Sequence, residues 1–353
     1  MKKKILFVNH EESRTGAPKI LFDVASAFRW EYNIVMVSKK QGSMHEEFID
    51  HFERIIYPHD FSKEAIKDLI KSINPDLAYI NTMSCFKFAE AAKALGIPTI
   101  FHLHELNMSI KPCLSQEDVK NFPDSADIFI ACSGKVKDFL VSHLRCEASK
   151  VRIVYSFISY DDTINKSTGK GLSISKAGQV IMGMGSIRGQ TEFARKGIDF
   201  LMDACSITNA NGCHNLGYYW IGSVPEIFTK TTNQNFQFLG EQKNPFALLR
   251  KADIFVMCSR EEPLGLAALE AMALGKPVIA FKDGGGIVDA IGDCGIIVDE
   301  MSPAALAMEI EALSKDPQLR LAMGKKSKEK VKANFDKAIL IPQFKQLIKE
   351  VIR

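Results

Sequence analysis

The stretch Ser259-Arg-Glu-Glu-Pro-Leu-Gly-Leu-Ala-Ala-Leu-Glu-Ala-Met-Ala-Leu-Gly-Lys-Pro-Val-Ile-Ala280 sets two glutamates, Glu262 and Glu270, eight positions apart behind an apolar run. Residues 254–257, Ile-Phe-Val-Met, read as a buried strand ending at Cys258. A short loop then carries Glu262, a helix is expected from about Leu264, and Gly275 with Pro277 closes it and opens the next strand. Strand, loop, helix and strand in this order are the repeating unit of a parallel α/β sheet. Such sheets bind ligands at the carboxyl ends of their strands, where Glu262 falls. The backbone N–H groups near Gly265 and Leu266 open the helix and suit a diphosphate, while the two carboxylates can accept hydrogen bonds from sugar hydroxyls.

The same unit recurs on both sides. Apolar runs at 5–9, 34–38, 77–80, 99–102, 128–132 and 151–154 alternate with amphipathic stretches such as 17–28, 63–73 and 85–95. A polar stretch rich in Gly, Ser and Lys follows, and 158–178 is expected to be a linker. A second series places strands at 180–184, 218–221, 236–239, 254–257, 278–281 and 296–298. From Pro303 the pattern is helical, with breaks expected near Pro317 and Pro342. The expected organisation is therefore a first parallel α/β domain over 1–157, a second over 179–335, and a final helix over 336–353.

Length and composition agree with two domains. The chain has 353 residues, 46% hydrophobic and 25% charged, enough for two cores. Its 45 basic and 42 acidic residues leave a net charge of +3, too balanced for a nucleic-acid partner recognised through bulk charge. The eight cysteines contain no C-x-x-C pair, several lie in apolar runs, and neither a zinc site nor a disulfide framework is expected. Lys2-Lys3-Lys4 is followed by only four apolar residues, too few for a signal peptide, and no run reaches a membrane span. A cytoplasmic protein is expected. The lysines at 325, 326, 328, 330 and 332 read first as a solvated helix face. Their second reading is peripheral contact with an anionic inner membrane face.

Beyond the strand–helix pattern, 262–280 closely resembles the E-x7-E signature of the retaining family-4 glycosyltransferases, with Leu264 where that family usually has Phe. The resemblance covers nearly the whole chain. It implies the GT-B fold: two Rossmann-like parallel-sheet domains facing a cleft, with a C-terminal helix returning to the N-terminal domain. It implies that Glu262 contacts donor-sugar hydroxyls and Glu270 the ribose, in a site holding a nucleotide-diphosphate sugar. It also implies a cationic clamp on the diphosphate. Lys196-Gly197 fits one half of that clamp, but Ser186 stands where the family has an arginine, leaving Arg188 or Arg195 to substitute.

Further positions follow by the same resemblance. His104, at the end of Thr99-Ile-Phe-His-Leu-His, would contact the donor sugar, while His102 suits strand packing. Gly16, in the loop after the first strand, and Gly285, in Asp283-Gly-Gly-Gly286, would let backbone approach the donor, and Asp289 stands where the family has a glutamate. Arg14 is a candidate for an anionic acceptor. The implied reaction is transfer with retention to a sugar or lipid-linked hydroxyl, in bacterial surface polysaccharide or glycolipid synthesis. No two aspartates are separated by one residue, so neither a D-x-D metal site nor any cofactor is expected. Two rivals share the fold pattern. One is a nucleotide-sugar epimerase. The other is an NAD(P)-dependent enzyme using the Gly183-x-Gly185 loop, with Asp199 or Asp203 on the ribose.

Overall fold

The computed structural model describes residues 2–174, 178–230 and 233–352. Residues 175–177 of the expected linker lie outside the described residues, as do Met1 and Arg353 at the chain ends. The chain divides into two compact units: Met1–Ser156 together with Ala338–Arg353, and Phe157–Lys337.

In the first unit the strands are β1 (Lys4–Asn9), β2 (Asn33–Ser38), β3 (Ile55–Ile56), β4 (Leu77–Asn81), β5 (Thr99–Leu103), β6 (Ile128–Ala131) and β7 (Val151–Ile153). They form one parallel sheet in the order β3-β2-β1-β4-β5-β6-β7. Ile5, Leu6, Phe7 and Val8 are all fully buried, which is why β1 reads as a continuous apolar run. Helices such as Gly16–Phe28 and Lys63–Ile73 connect the strands, the latter capped by the Ser62 side chain and ended by Asn74 in the left-handed region. The two-residue β3 at the sheet edge has no counterpart in the sequence pattern because so short a run carries no periodicity.

The second unit contains β8 (Gln179–Met184), β9 (Leu216–Ile221), β10 (Phe236–Phe238), β11 (Ile254–Met257), β12 (Val278–Phe281) and β13 (Ile296–Val298). These are again parallel, in the order β10-β9-β8-β11-β12-β13. Each sheet reverses its winding once, between β1 and β4 and between β8 and β11. The loops at the carboxyl ends of those strand pairs flank the crevice where open α/β sheets take ligands.

Two expectations need correction. Residues 160–167, expected within a linker, form the helix Tyr160–Ser167 of the second unit, with Thr163 and Ser167 buried and the helix packed against Phe246–Leu249 and Leu266–Ala273. Its polar composition hid it, because only one face needs to be covered. Pro342 does not break the last helix, which runs Lys337–Val351 with the proline inside it, one turn past its first residues, at the cost of the bond an N–H there would have made to Ala338 O. The interruption falls at Phe335–Asp336 instead: Ile158 N–H donates to Phe335 O and Lys337 N–H to Ile158 O, so the backbone there pairs with a neighbouring segment. Beyond it, Ala338–Arg353 belongs to the first unit, where Leu340, Phe344 and Ile348 are buried and the Phe344 ring lies 5.3 Å from that of His102.

Candidate active site

In the second unit the loop after β11 brings Glu262 beside the end of the helix Gln190–Lys196. Lys196 Nζ lies 2.6 Å from Glu262 Oε2, and Arg195 Nη1 lies 3.6 Å from the same oxygen. Arg195 also donates to Glu261 O at 3.1 Å. The Glu262 side chain retains only 12% exposure and Lys196 16%, so this is a largely dehydrated cluster. Burial by itself would raise the Glu262 carboxyl; the Lys196 and Arg195 charges and hydrogen bonds from Lys196 and Ser259 outweigh it and hold the group below the ordinary value.

The backbone fixes this arrangement at three glycines. Gly197 (φ +62°) turns the chain sharply between Gln190–Lys196 and the next helix Ile198–Ala210, and a Cβ there would stand 2.1 Å from Cys258 O. Gly285 (φ +124°) is pressed on Glu262 so closely that a Cβ would stand 2.0 Å from its carbonyl oxygen. Around it, Glu262 N–H donates to Gly284 O and Gly286 N–H donates back to Glu262 O. Gly265 (φ +91°) then starts the helix Leu266–Ala273, one turn into which Glu270 is buried. The helix begins two residues later than Leu264 because Gly265 itself takes the left-handed conformation. Its first N–H groups have no partner within the helix and are suited to an anion.

Gly185, at the end of β8, accepts from Trp220 Nε1 at 2.8 Å, and a Cβ on it would come within 3.3 Å of the Lys196 stem. The small residue makes room for the lysine. Arg188 stands exposed on the loop before Gln190–Lys196, so of the two candidate arginines it is Arg195 that the fold brings to Glu262. Asp199 is engaged elsewhere: both of its carboxylate oxygens accept from the Arg260 guanidinium. Arg260 was not singled out by sequence; it immediately follows Ser259, and nothing in the linear pattern pairs it with position 199.

In the first unit, His104 lies just past β5. Its Nε2 and Asn81 Oδ1 are 3.0 Å apart, and its ring is 4.0 Å from that of His102. Burial, aided by the nearby His10, pushes His104 down to about 3, so the imidazole is neutral at physiological pH. His102 is fully buried, shares a 2.7 Å hydrogen bond with Tyr79 and is pushed well below its ordinary value by the same burial. That matches the strand-packing role expected of it. Asn81 Nδ2 also donates to Ala17 O at 3.2 Å, tying His104 to the first turn of Gly16–Phe28, and so to Gly16, through one side chain. Asn81 was missed because a strand-terminal asparagine is common and its partners are distant in sequence. Arg14, exposed, pairs with Glu47.

Among the described residues no three His, Cys, Asp or Glu side chains are grouped to hold a metal ion, and no helix is long and apolar enough to cross a membrane. Of the lysine run, Lys326 pairs with Asp293, Lys330 donates to Ile291 O, and Lys332 lies over the Tyr160 ring.

Comparisons with known proteins bear on this arrangement. Residues 179–316 match the family model described as Glycosyl transferases group 1, and residues 36–162 match that of Glycosyltransferase Family 4. N-acetyl-alpha-D-glucosaminyl L-malate synthase of Bacillus anthracis is 34% identical over 118 residues, 33% of this chain and 31% of the relative. The capsular polysaccharide biosynthesis glycosyltransferase CapM of Staphylococcus aureus is 28% identical over 154 residues, 41% of this chain and 40% of the relative. The matched region thus spans well under half the length of these curated relatives. Among solved structures, Anabaena Alr3699/HepE in complex with UDP and glucose superposes with a TM-score of 0.81 at 18% identity, covering 99% of this chain and 100% of that one. At that identity the likeness speaks to the fold.

Proposed function

Because this chain belongs to the glycosyltransferases of GT-B fold, a Family 4 match preceding a group 1 match, we propose that it moves a sugar from a nucleoside-diphosphate sugar to a hydroxyl acceptor with retention of configuration. The observation that carries the reading is the cluster of Lys196, Arg195 and Glu262 at the carboxyl ends of β8 and β11, beside the helix opened by Gly265 and Leu266. Diphosphate needs cations and N–H donors; sugar and ribose hydroxyls need fixed acceptors. Both sets occur here within one turn of the fold.

In the proposed step the acceptor oxygen bonds to the anomeric carbon as that carbon's bond to the diphosphate oxygen breaks. The electron pair and the acceptor's proton both go to the departing diphosphate, so no side chain acts as general base. Lys196 and Arg195 neutralise the charge that develops on the leaving group, Glu262 holds sugar hydroxyls, Glu270 the ribose, and Gly285 keeps the backbone close. His104, neutral and held by Asn81, would serve as a hydrogen-bonding positioner. Charge stabilisation by side chains means that transfer should survive EDTA; activity lost with EDTA and restored by Mn²⁺ would contradict this part.

The donor site is tested directly by Glu262→Gln and Lys196→Ala. Both should remain folded and lose most transfer, assayed first against UDP-, GDP- and ADP-sugars selected by thermal shift. Near-normal transfer in both variants would overturn the reading. A nucleotide-sugar epimerase on the same fold would isomerise the donor without acceptor, and the matched family descriptions lend it no support. The NAD(P) alternative is weakened by the commitment of Asp199 to Arg260. The relative named for capsule synthesis favours a surface-polysaccharide acceptor, sugar or lipid-linked. For the lysine run, the contacts of Lys326, Lys330 and Lys332 within their own unit favour a helix face over a membrane patch. Co-sedimentation with anionic liposomes would reverse that preference.

A further inference from the structure

We propose that Arg260 and Asp199 form a positioning brace that sets Arg195 and Lys196 for the donor diphosphate. The inference deepens the donor-site reading above and rests on it.

Arg195 and Lys196 are the last two residues of a seven-residue helix, a place where short helices fray. Both are long side chains with many rotamers, so a clamp built on a loose turn would give up affinity to ordering. The loop after β11 prevents this through one side chain. The Arg260 guanidinium forks onto both Asp199 oxygens, at 2.8 Å from Nη1 to Oδ1 and with Nη2 on Oδ2. The same Nη1 donates to Ala194 O at 2.9 Å, at the carbonyl end of the helix where a cation is favoured. The face of the guanidinium stacks 3.9 Å over the Phe200 ring. Its own backbone N–H donates to Arg195 O at 2.8 Å, while Cys258 Sγ approaches Lys196 O at 3.5 Å.

These contacts grip residues 194 and 199–200, on either side of the left-handed turn at Gly197, and leave the charged heads of Arg195 and Lys196 pointing to Glu262. The Arg260 contacts described above end on Asp199, Ala194 O, Arg195 O and Phe200, and none of these is Glu262 or either head. Its action is therefore indirect. A lysine could keep the charge but supplies neither the planar fork nor the stacking surface, so Arg260→Lys should behave as a loss.

The test separates positioning from mere stability. UDP, GDP and ADP are each titrated against wild type by calorimetry beside the matching monophosphate, and the tightest pair is carried forward. In Asp199→Asn and Arg260→Lys the diphosphate should weaken about tenfold, the scale of one misplaced charge-assisted contact, and the monophosphate less than about twofold. The double variant should lose no more than either single one, since both break the same brace. Equal weakening of mono- and diphosphate, a lowered melting temperature with unchanged binding, or additive losses in the double variant would each overturn the proposal. If Lys196→Ala also leaves diphosphate binding intact, or none of the three diphosphates binds wild type, it is the donor-site reading that has failed, and the brace with it.

Discussion

Lys196 Nζ and Glu262 Oε2 stand 2.6 Å apart although 66 positions separate them in the chain, and Arg195 shares the same carboxylate. In the proposed reaction, two cations on one shielded carboxylate would leave a locally positive seat at the start of the helix Leu266–Ala273 when Glu262 turns to hydroxyl partners. The pair therefore serves the resting fold and, in the proposed reaction, the substrate.

Removing the carboxylate charge should weaken the fold as well as the reaction. Glu262→Gln is expected to cost about 1–3 kcal/mol at neutral pH, because two cations lose their counter-ion in a partly dehydrated site. Since the folded-state carboxyl lies below 4.5, its contribution is fully present above that value and fades as pH falls through the folded one. Denaturant melts of wild type and variant should therefore differ most near neutrality and converge in acid; a gap that stays constant down to roughly pH 3 would refute the ion-pair account.

Gly285→Ala should be far more disruptive than an exposed Gly→Ala change. A Cβ 2.0 Å from Glu262 O cannot be accommodated, and φ +124° is strained for any other residue. A loss of more than about 2 kcal/mol is expected, with donor binding abolished as Glu262 is pushed aside. Thermal melting with a nucleotide titration checks both.

His104 should impose no inflection on activity in the neutral range. With its imidazole held down to about 3, it stays neutral at any pH where the enzyme is assayed. The unfolded chain takes up that proton below about 6.5, so burying His104 favours the folded state above 6.5 and penalises it increasingly as pH falls toward 3. His104→Gln should lower transfer yet leave the shape of the pH–rate profile unchanged, and it should relieve part of the acid lability. A limb of the wild-type profile near 6.5 that disappears in the variant would show that His104 titrates after all.

Phe344→Ala should unfold or severely weaken the first unit, although the residue lies nearly two hundred positions beyond the rest of that unit. Its ring is fully buried against His102, so truncation should cost about 3–5 kcal/mol. By contrast the solvent-facing pair that Lys345 of the same helix makes with Glu31 should contribute below about 1 kcal/mol. Urea melts of Phe344→Ala and Lys345→Ala give the comparison.

Much of the candidate site was legible in the sequence. The run from Ser259 to Ala280 announces strand, loop, helix and strand by local composition, and both glutamates fall where such units bind ligands. His104 was separated from His102 because one follows the strand and the other lies inside it. The choice between Arg188 and Arg195 was not legible. It depends on Gly197 turning the chain back on itself so that the end of one short helix faces a loop 66 residues away. The helix Tyr160–Ser167 was hidden for a related reason: its polar surface reads as a linker until a neighbouring element covers its one buried face.

The sequence by itself determined the α/β class and the succession of strands, which rest on periodicity and short-range signals, and offered Glu262 and Lys196 as candidates through its resemblance to a family motif. Only the tertiary structure decided which charges meet. That Arg260 takes both Asp199 oxygens, and that Arg195 rather than Arg188 stands beside Glu262, could be read only from the fold. Ion pairing depends on separations of a few ångströms between groups far apart along the chain, and the left-handed turn at Gly197 sets those separations only once both sides of it are packed.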